Sequence, residues 1–185
     1  VHNAGRSQMA AVICAALGNK GGINLAVTYE AFGVKMLGAL RQEIIFARHL
    51  CEAGRPPGWL SVPVLLTSHT WENAKNEQSH QDPTLAEALL GEMADGARVC
   101  FPPDGNSAMA ALSHSVRALG TITALVVPKR EVPNRLTPVQ AQRLAEEGLI
   151  LLHGDPDAAV ALAEHEDRLL PSQSWICVID PFSPP

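Results

Sequence analysis

Five segments of this chain read as short buried strands, and that pattern limits the fold more than any other feature. Ile122 to Val127, apolar but for Thr123, is the strongest strand signal, and Val62–Leu66, Arg98–Phe101, Leu149–Leu152 and Trp175–Ile179 also read as mostly apolar strands. A sixth short strand, Ile23 to Thr28, opens the series behind Gly21-Gly22. Continuous apolar runs, as opposed to alternating ones, belong to strands buried on both faces. Between them lie segments whose apolar residues recur at helical spacing. Strand and helix signals in alternation predict a mostly parallel sheet covered by helices on both sides. The expected fold is therefore α/β, a three-layer α/β/α arrangement with a doubly wound sheet of about six strands. A length of 185 residues suits one domain at the usual ~100–200 residues. It is expected to span residues 1–180, with a Pro-rich tail at 181–185.

The helices carry their own punctuation. Met9, Val12, Ile13, Ala16 and Leu17 form one stripe that stops at Gly18-Asn19. A second helix is predicted from Glu30 to about Leu50, with Phe32, Met36, Leu37, Leu40 and Ile44 facing inward. Gly54-Arg55-Pro56-Pro57-Gly58 breaks the chain after it. A third is expected from Pro83 to about Met93. Asp104 is placed to cap a fourth, which carries Met109, Leu112, Val116 and Leu119. Thr137-Pro138 opens another that Gly148 ends, and Asp155-Pro156 starts the last.

Bulk properties remove several function classes. The formal net charge is −5 and no Lys/Arg run occurs, which argues against a nucleic-acid or anionic-membrane surface. No apolar run approaches the ~20 residues of a membrane span. Cys14, Cys51, Cys100 and Cys177 stand far apart without a CxxC, the usage of reduced thiols in a cytoplasmic protein. No His or Cys spacing predicts a metal site in the chain itself.

The segment from Leu66 to Pro83 does not read as a simple connector. It holds His69, Trp71, Asn76, His80 and Asp82 between a strand and a helix, whereas loops in α/β units usually run ~2–6 residues. Open α/β sheets place ligands at the carboxyl ends of their strands, and residues 73–82 are expected to form an exposed loop there. Asp82 can cap the following helix, with Pro83 in its first turn and Glu87 close behind. Capping leaves His69, Trp71, Asn76 and His80 without a role.

Three motifs in order resemble one family. Ser79-His80-Gln81-Asp82-Pro83, preceded by Leu66-Thr67-Ser68-His69, Trp71 and Asn76, is similar to the signature of phosphoketolases, thiamine-diphosphate enzymes related to transketolase. Tyr29-Glu30-Ala31-Phe32 resembles the family's Tyr-Glu-Ala-Phe. Phe101-Pro102-Pro103-Asp104, with Asn106, resembles its Leu-Pro-Pro-Asp-Ala-Asn. The resemblance covers roughly residues 6–128 and places the chain in the middle domain, which holds the aminopyrimidine of the cofactor. It implies that Phe32 stacks on that ring with Tyr29 beside it, and that His80 faces the reacting carbon with Asn76 nearby. The residue types suit these roles. An aromatic face fits a flat heterocycle, and a histidine moves protons near neutral pH. His69 fits either a substrate contact or a hydrogen-bonded loop anchor. Taken alone, Tyr29 and Phe32 also fit ordinary packing at a helix start.

Two departures stand out. Where the family carries its activating glutamate, this chain reads Arg6-Ser7-Gln8, and Ser7 takes that position. Lys75 stands where the family has a further histidine. No Gly-Asp-Gly segment for a magnesium-bound diphosphate is found, so another domain or subunit is expected to hold Mg2+ and the diphosphate. The chain begins at Val1, inside what resembles a motif, and is expected to be a fragment or a processed piece. By resemblance, the activity is phosphate-dependent cleavage of a ketose phosphate to acetyl phosphate, with a homodimer or a partner subunit completing the site. The alternative is a catalytically degenerate domain serving dimerisation, scaffolding or regulation.

Overall fold

The computed structural model describes residues 25–56, 62–67, 81–92, 96–129 and 131–147, together with the backbone of 149–151 and 176–178. The strands are β1 (Ala26–Tyr29), β2 (Val62–Thr67), β3 (Ala97–Cys100), β4 (Ile122–Val127), β5 (Leu149–Leu151) and β6 (Ile176–Val178). The helices are α1 (Glu30–Gly33), α2 (Leu37–Glu52), α3 (Thr84–Leu90), α4 (Gly105–Ser115) and α5 (Pro138–Glu147). A 3-10 turn, Val34–Met36, joins α1 to α2, so the predicted second helix is one helical run. It ends where the glycine and prolines predict a break. Gly54 adopts φ 69°, its N–H donates to Cys51 O, and the Arg55 N–H donates to Leu50 O. Those two bonds satisfy carbonyls that the helix end would leave open.

Four strands form one parallel sheet in the order β1-β2-β4-β3. The chain steps one place from β1 to β2, two places in the same direction to β3, and one place back to β4. Right-handed crossovers put helices on opposite faces when the direction reverses, and the packing agrees. Val64, Leu66, Ala124 and Val126 meet Met36, Leu40, Leu85 and Leu89 in one core. Cys100 and Leu125 meet Ala111, Ala141 and Leu144 in the other. Neighbouring residues of β2 and β4 thus enter different cores, which is why these strands are apolar without alternation. The sheet is doubly wound with helices on both faces.

Among the described residues the principal sheet has four of the roughly six expected strands, and β5 and β6 pair with each other in a second parallel sheet. An apolar run specifies a buried strand and not the edge it will join. In α4 the buried residues are Ser107, Ala111 and Ser115, whereas Met109 and, past the helix end, Leu119 are exposed. Small residues face the interior of α4, and the larger apolar side chains do not mark that face. The predicted first helix, the helix after Asp155 and the tail at 181–185 lie outside the described residues.

Candidate functional site

Strand register brings the carboxyl ends of β1, β2 and β4 level, with Tyr29 opposite Thr67 and Thr67 opposite Val127. The helices following β2 and β4 lie on opposite faces, so the crevice between these two strand ends is the switch point at which open α/β sheets bind ligands. The Thr67 hydroxyl donates to Thr28 O at 3.4 Å and ties β2 to β1 there.

An aromatic pair stands at the end of β1. The Tyr29 and Phe32 rings meet edge to face, with centroids 6.0 Å apart and planes at 63°. Past the end of β4, Lys129 Nζ lies 4.8 Å from the Tyr29 ring centroid, within cation–π range. On the α4 face of the sheet opens an apolar cavity of about 310 Å3, lined by Leu65, Pro102, Met109, Leu125, Val127 and Val132 among others.

Glu30 lies between the aromatic residues in sequence and is only 2% exposed. Its Oε2 accepts the Asp82 N–H at 3.1 Å. This bond draws the last residues of the Ser-His-Gln-Asp-Pro segment against the Tyr-Glu-Ala-Phe turn. The Asp82 carboxylate is turned the other way: Oδ1 accepts the Thr84 N–H at 2.9 Å and also the Thr84 hydroxyl. Asp82 therefore supports the start of α3 as expected, though from one position before the N-cap, which is Pro83.

The third motif holds the opposite face together. Asp104 caps α4 by accepting the Ser107 N–H at 2.8 Å. Its Oδ2 also accepts the N–H groups of Arg135 and Leu136, each at 2.7 Å. Burial acts to raise the Asp104 pKa, and the hydrogen bonds from Leu136, Ser107 and Arg135 outweigh it and hold the carboxyl below its ordinary range. Asn106 donates to Leu136 O at 2.7 Å. Asp104 and Asn106 thus fasten the segment leading into α5.

Of the predicted site residues, Tyr29 and Phe32 are brought together at the sheet edge. Ser7, His69, Asn76 and His80 lie outside the described residues, as does Lys75. Two residues of the site, Glu30 and Lys129, are not singled out by sequence reasoning. Glu30 reads there as a helix start inside its motif. For Lys129 the available signal is its place just past the strongest strand run, at the strand end where ligands bind. Among the described residues, no group of three His, Cys, Asp or Glu side chains could hold a metal ion. No helix among them is long and apolar enough to cross a membrane.

This is a doubly wound α/β domain with an aromatic wall and a cation at the carboxyl edge of its sheet. A profile of the D-xylulose 5-phosphate/D-fructose 6-phosphate phosphoketolase family matches residues 8–118. The chain belongs to that family. A probable phosphoketolase of Brucella abortus is 37% identical over 89 residues, covering 48% of this chain and 11% of that protein. One from Bradyrhizobium diazoefficiens is 32% identical over 111 residues, 56% of this chain and 14% of its own length. One from Streptomyces avermitilis is 28% identical over 142 residues, 73% of this chain and 18% of its own length. The chain thus spans less than a fifth of these relatives.

Proposed function

We propose that this chain is the pyrimidine-binding part of a phosphoketolase-like enzyme acting on ketose phosphates. The observation that carries the reading is the meeting of two separate motifs, Tyr29 to Phe32 and Gln81 to Pro83, through the Glu30–Asp82 bond, which links the turn after β1 to the start of α3. An aromatic wall suits the flat aminopyrimidine of thiamine diphosphate. When bound, that cofactor supplies a carbon nucleophile for cleaving the bond next to a ketone. Phe32 and Tyr29 would hold its pyrimidine, with Ser7 and Asn76 contributing to its binding. His80 would carry protons at the reacting carbon, and His69 would contact the substrate. Lys129 puts a positive charge beside the wall, which suits a phosphorylated sugar. Mg2+ and the diphosphate would be held by another domain or by a partner subunit, in a homodimer or a larger complex. Acetyl phosphate is the proposed product.

Ser7 favours a second reading, a domain that keeps the fold for dimerisation, scaffolding or regulation and has lost the reaction. A carboxylate at that position would hold a ring proton of the pyrimidine through a charge-assisted hydrogen bond, which a serine hydroxyl cannot replace. Exchange of the thiazolium C2 proton separates the readings, measured with this chain in its complete protein, with Ser7 or with Ser7→Glu. The degenerate reading expects slow exchange with Ser7 and a gain of roughly 10- to 150-fold with glutamate, the equivalent of about 1.5–3 kcal/mol. Fast exchange in the natural chain supports the enzymatic reading.

A further inference from the structure

We propose that Glu30 is a positioning residue of this site, holding the aromatic pair Tyr29–Phe32 in register with the start of α3. Only the identity of the ligand facing that pair rests on the functional reading above. A carboxylate that is 2% exposed must be met by donors, since an unmet buried charge is strongly unfavourable. The Asp82 N–H meets it from 52 residues along the chain. Asp82 in turn binds the first residue of α3 through its side chain. Glu30, Asp82 and Thr84 therefore form a continuous link between the start of α1 and the start of α3.

Packing makes that link consequential. A Cβ on Gly33 would come within 2.8 Å of Leu85 Cδ2 and 2.9 Å of Leu66 Cδ2. The turn from Glu30 to Gly33 is thus pressed onto α3 and β2, with the Glu30 bond at one end of the contact and Gly33 at the other. Tyr29 and Phe32 flank Glu30, so a change in this link alters how the two rings stand. A carboxylate acting only as general fold support would affect stability and leave the rings where they are.

The chain contains a single tyrosine, Tyr29, so 3-fluorotyrosine labelling gives one 19F resonance that reports the wall directly. The experiment compares the labelled 185-residue chain with Glu30→Ala and Glu30→Gln, and follows exchange of the Asp82 amide in each. Glu30→Ala is expected to speed that exchange by ~10-fold or more and to move the Tyr29 resonance, while circular dichroism stays unchanged. Glu30→Gln keeps an acceptor oxygen at the same reach and is expected to restore both signals toward wild type. If Glu30→Ala does not fold, Glu30→Asp makes the same comparison, since it keeps the charge and withdraws the oxygens by one methylene. A folded variant with fast Asp82 exchange and an unmoved Tyr29 resonance overturns the proposal. Added thiamine separates the two ideas. A resonance that answers to Glu30→Ala supports the positioning role whatever thiamine does, because the wall alone binds thiamine weakly. The pyrimidine reading is removed if Tyr29 does not answer to thiamine diphosphate with Mg2+ in the complete protein. A resonance that answers to thiamine and ignores Glu30→Ala supports the pyrimidine reading and overturns the positioning role.

Discussion

Arg98 Nη1 on β3 lies 3.1 Å from His114 Nε2 on α4, a contact in which the neutral ring accepts from the guanidinium. Burial lowers the His114 pKa first; Arg98 and Arg117 lower it further, and Glu146 opposes them. The folded pKa therefore lies below the unfolded value of about 6.5, and the unfolded chain takes up the proton first as pH falls. The stability tied to neutral His114 is complete above about pH 6.5 and drains away from there down to the folded pKa. His114→Gln, which can still accept from Arg98, should flatten the fall in urea midpoint between pH ~7 and ~5. Equal slopes for the two proteins would show that the ring does not titrate against Arg98. Asp104 works in a lower window, since its depressed pKa keeps its bonds intact until pH falls through that folded value. The sequence reveals only part of this chemistry. The cap on α4 is readable because its partner is three residues away, whereas the Asp104 bonds to Arg135 and Leu136 join positions with no local relation.

Two glycines in one helical run show how elements are fitted together. Gly33 faces Leu85 and Leu66, both fully buried, so an added methyl group has nowhere to go. A Cβ placed on Gly38 would have nothing within 4 Å, and that residue lies on the exposed side of α2. Gly33→Ala should cost ~1–3 kcal/mol through overpacking. Gly38→Ala should gain ~0.5–1 kcal/mol, because alanine gives up less conformational freedom in a helix. Denaturant unfolding of the two variants checks the contrast, and a stabilised Gly33→Ala would mean that α1 is not pressed against α3. Strand positions are well marked in the sequence: the run Ile122–Val127 matches β4 to the residue, and β2 extends Val62–Leu66 by only one. Continuous apolar runs announce buried parallel strands without reference to partners. The face of α4 is less legible because a helix buries whatever its neighbours leave room for. There, that is Ala111 and two serines, while Met109 stays outside.

At the scale of the molecule, a parallel doubly wound sheet is readable from the order of elements, and its division into a four-stranded and a two-stranded sheet is not. Half of the candidate site follows from motifs whose residues the fold gathers at one edge; the Glu30–Asp82 bond that joins them depends on tertiary approach. The same geometry bounds what the isolated chain can bind. Its described part offers thiamine diphosphate an aromatic wall and the Lys129 charge. An aromatic contact contributes ~0.5–1.5 kcal/mol beyond area burial, and covering one small ring face adds ~2 kcal/mol. Micromolar binding requires about 8 kcal/mol after the cost of association is met. That gap would be filled by the Mg2+-bound diphosphate, which the functional reading assigns to another part of the protein. Calorimetry on the isolated chain with thiamine diphosphate and magnesium should therefore show no micromolar site. A dissociation constant at or below micromolar would place a diphosphate clamp within these 185 residues and end the division of labour proposed for this chain.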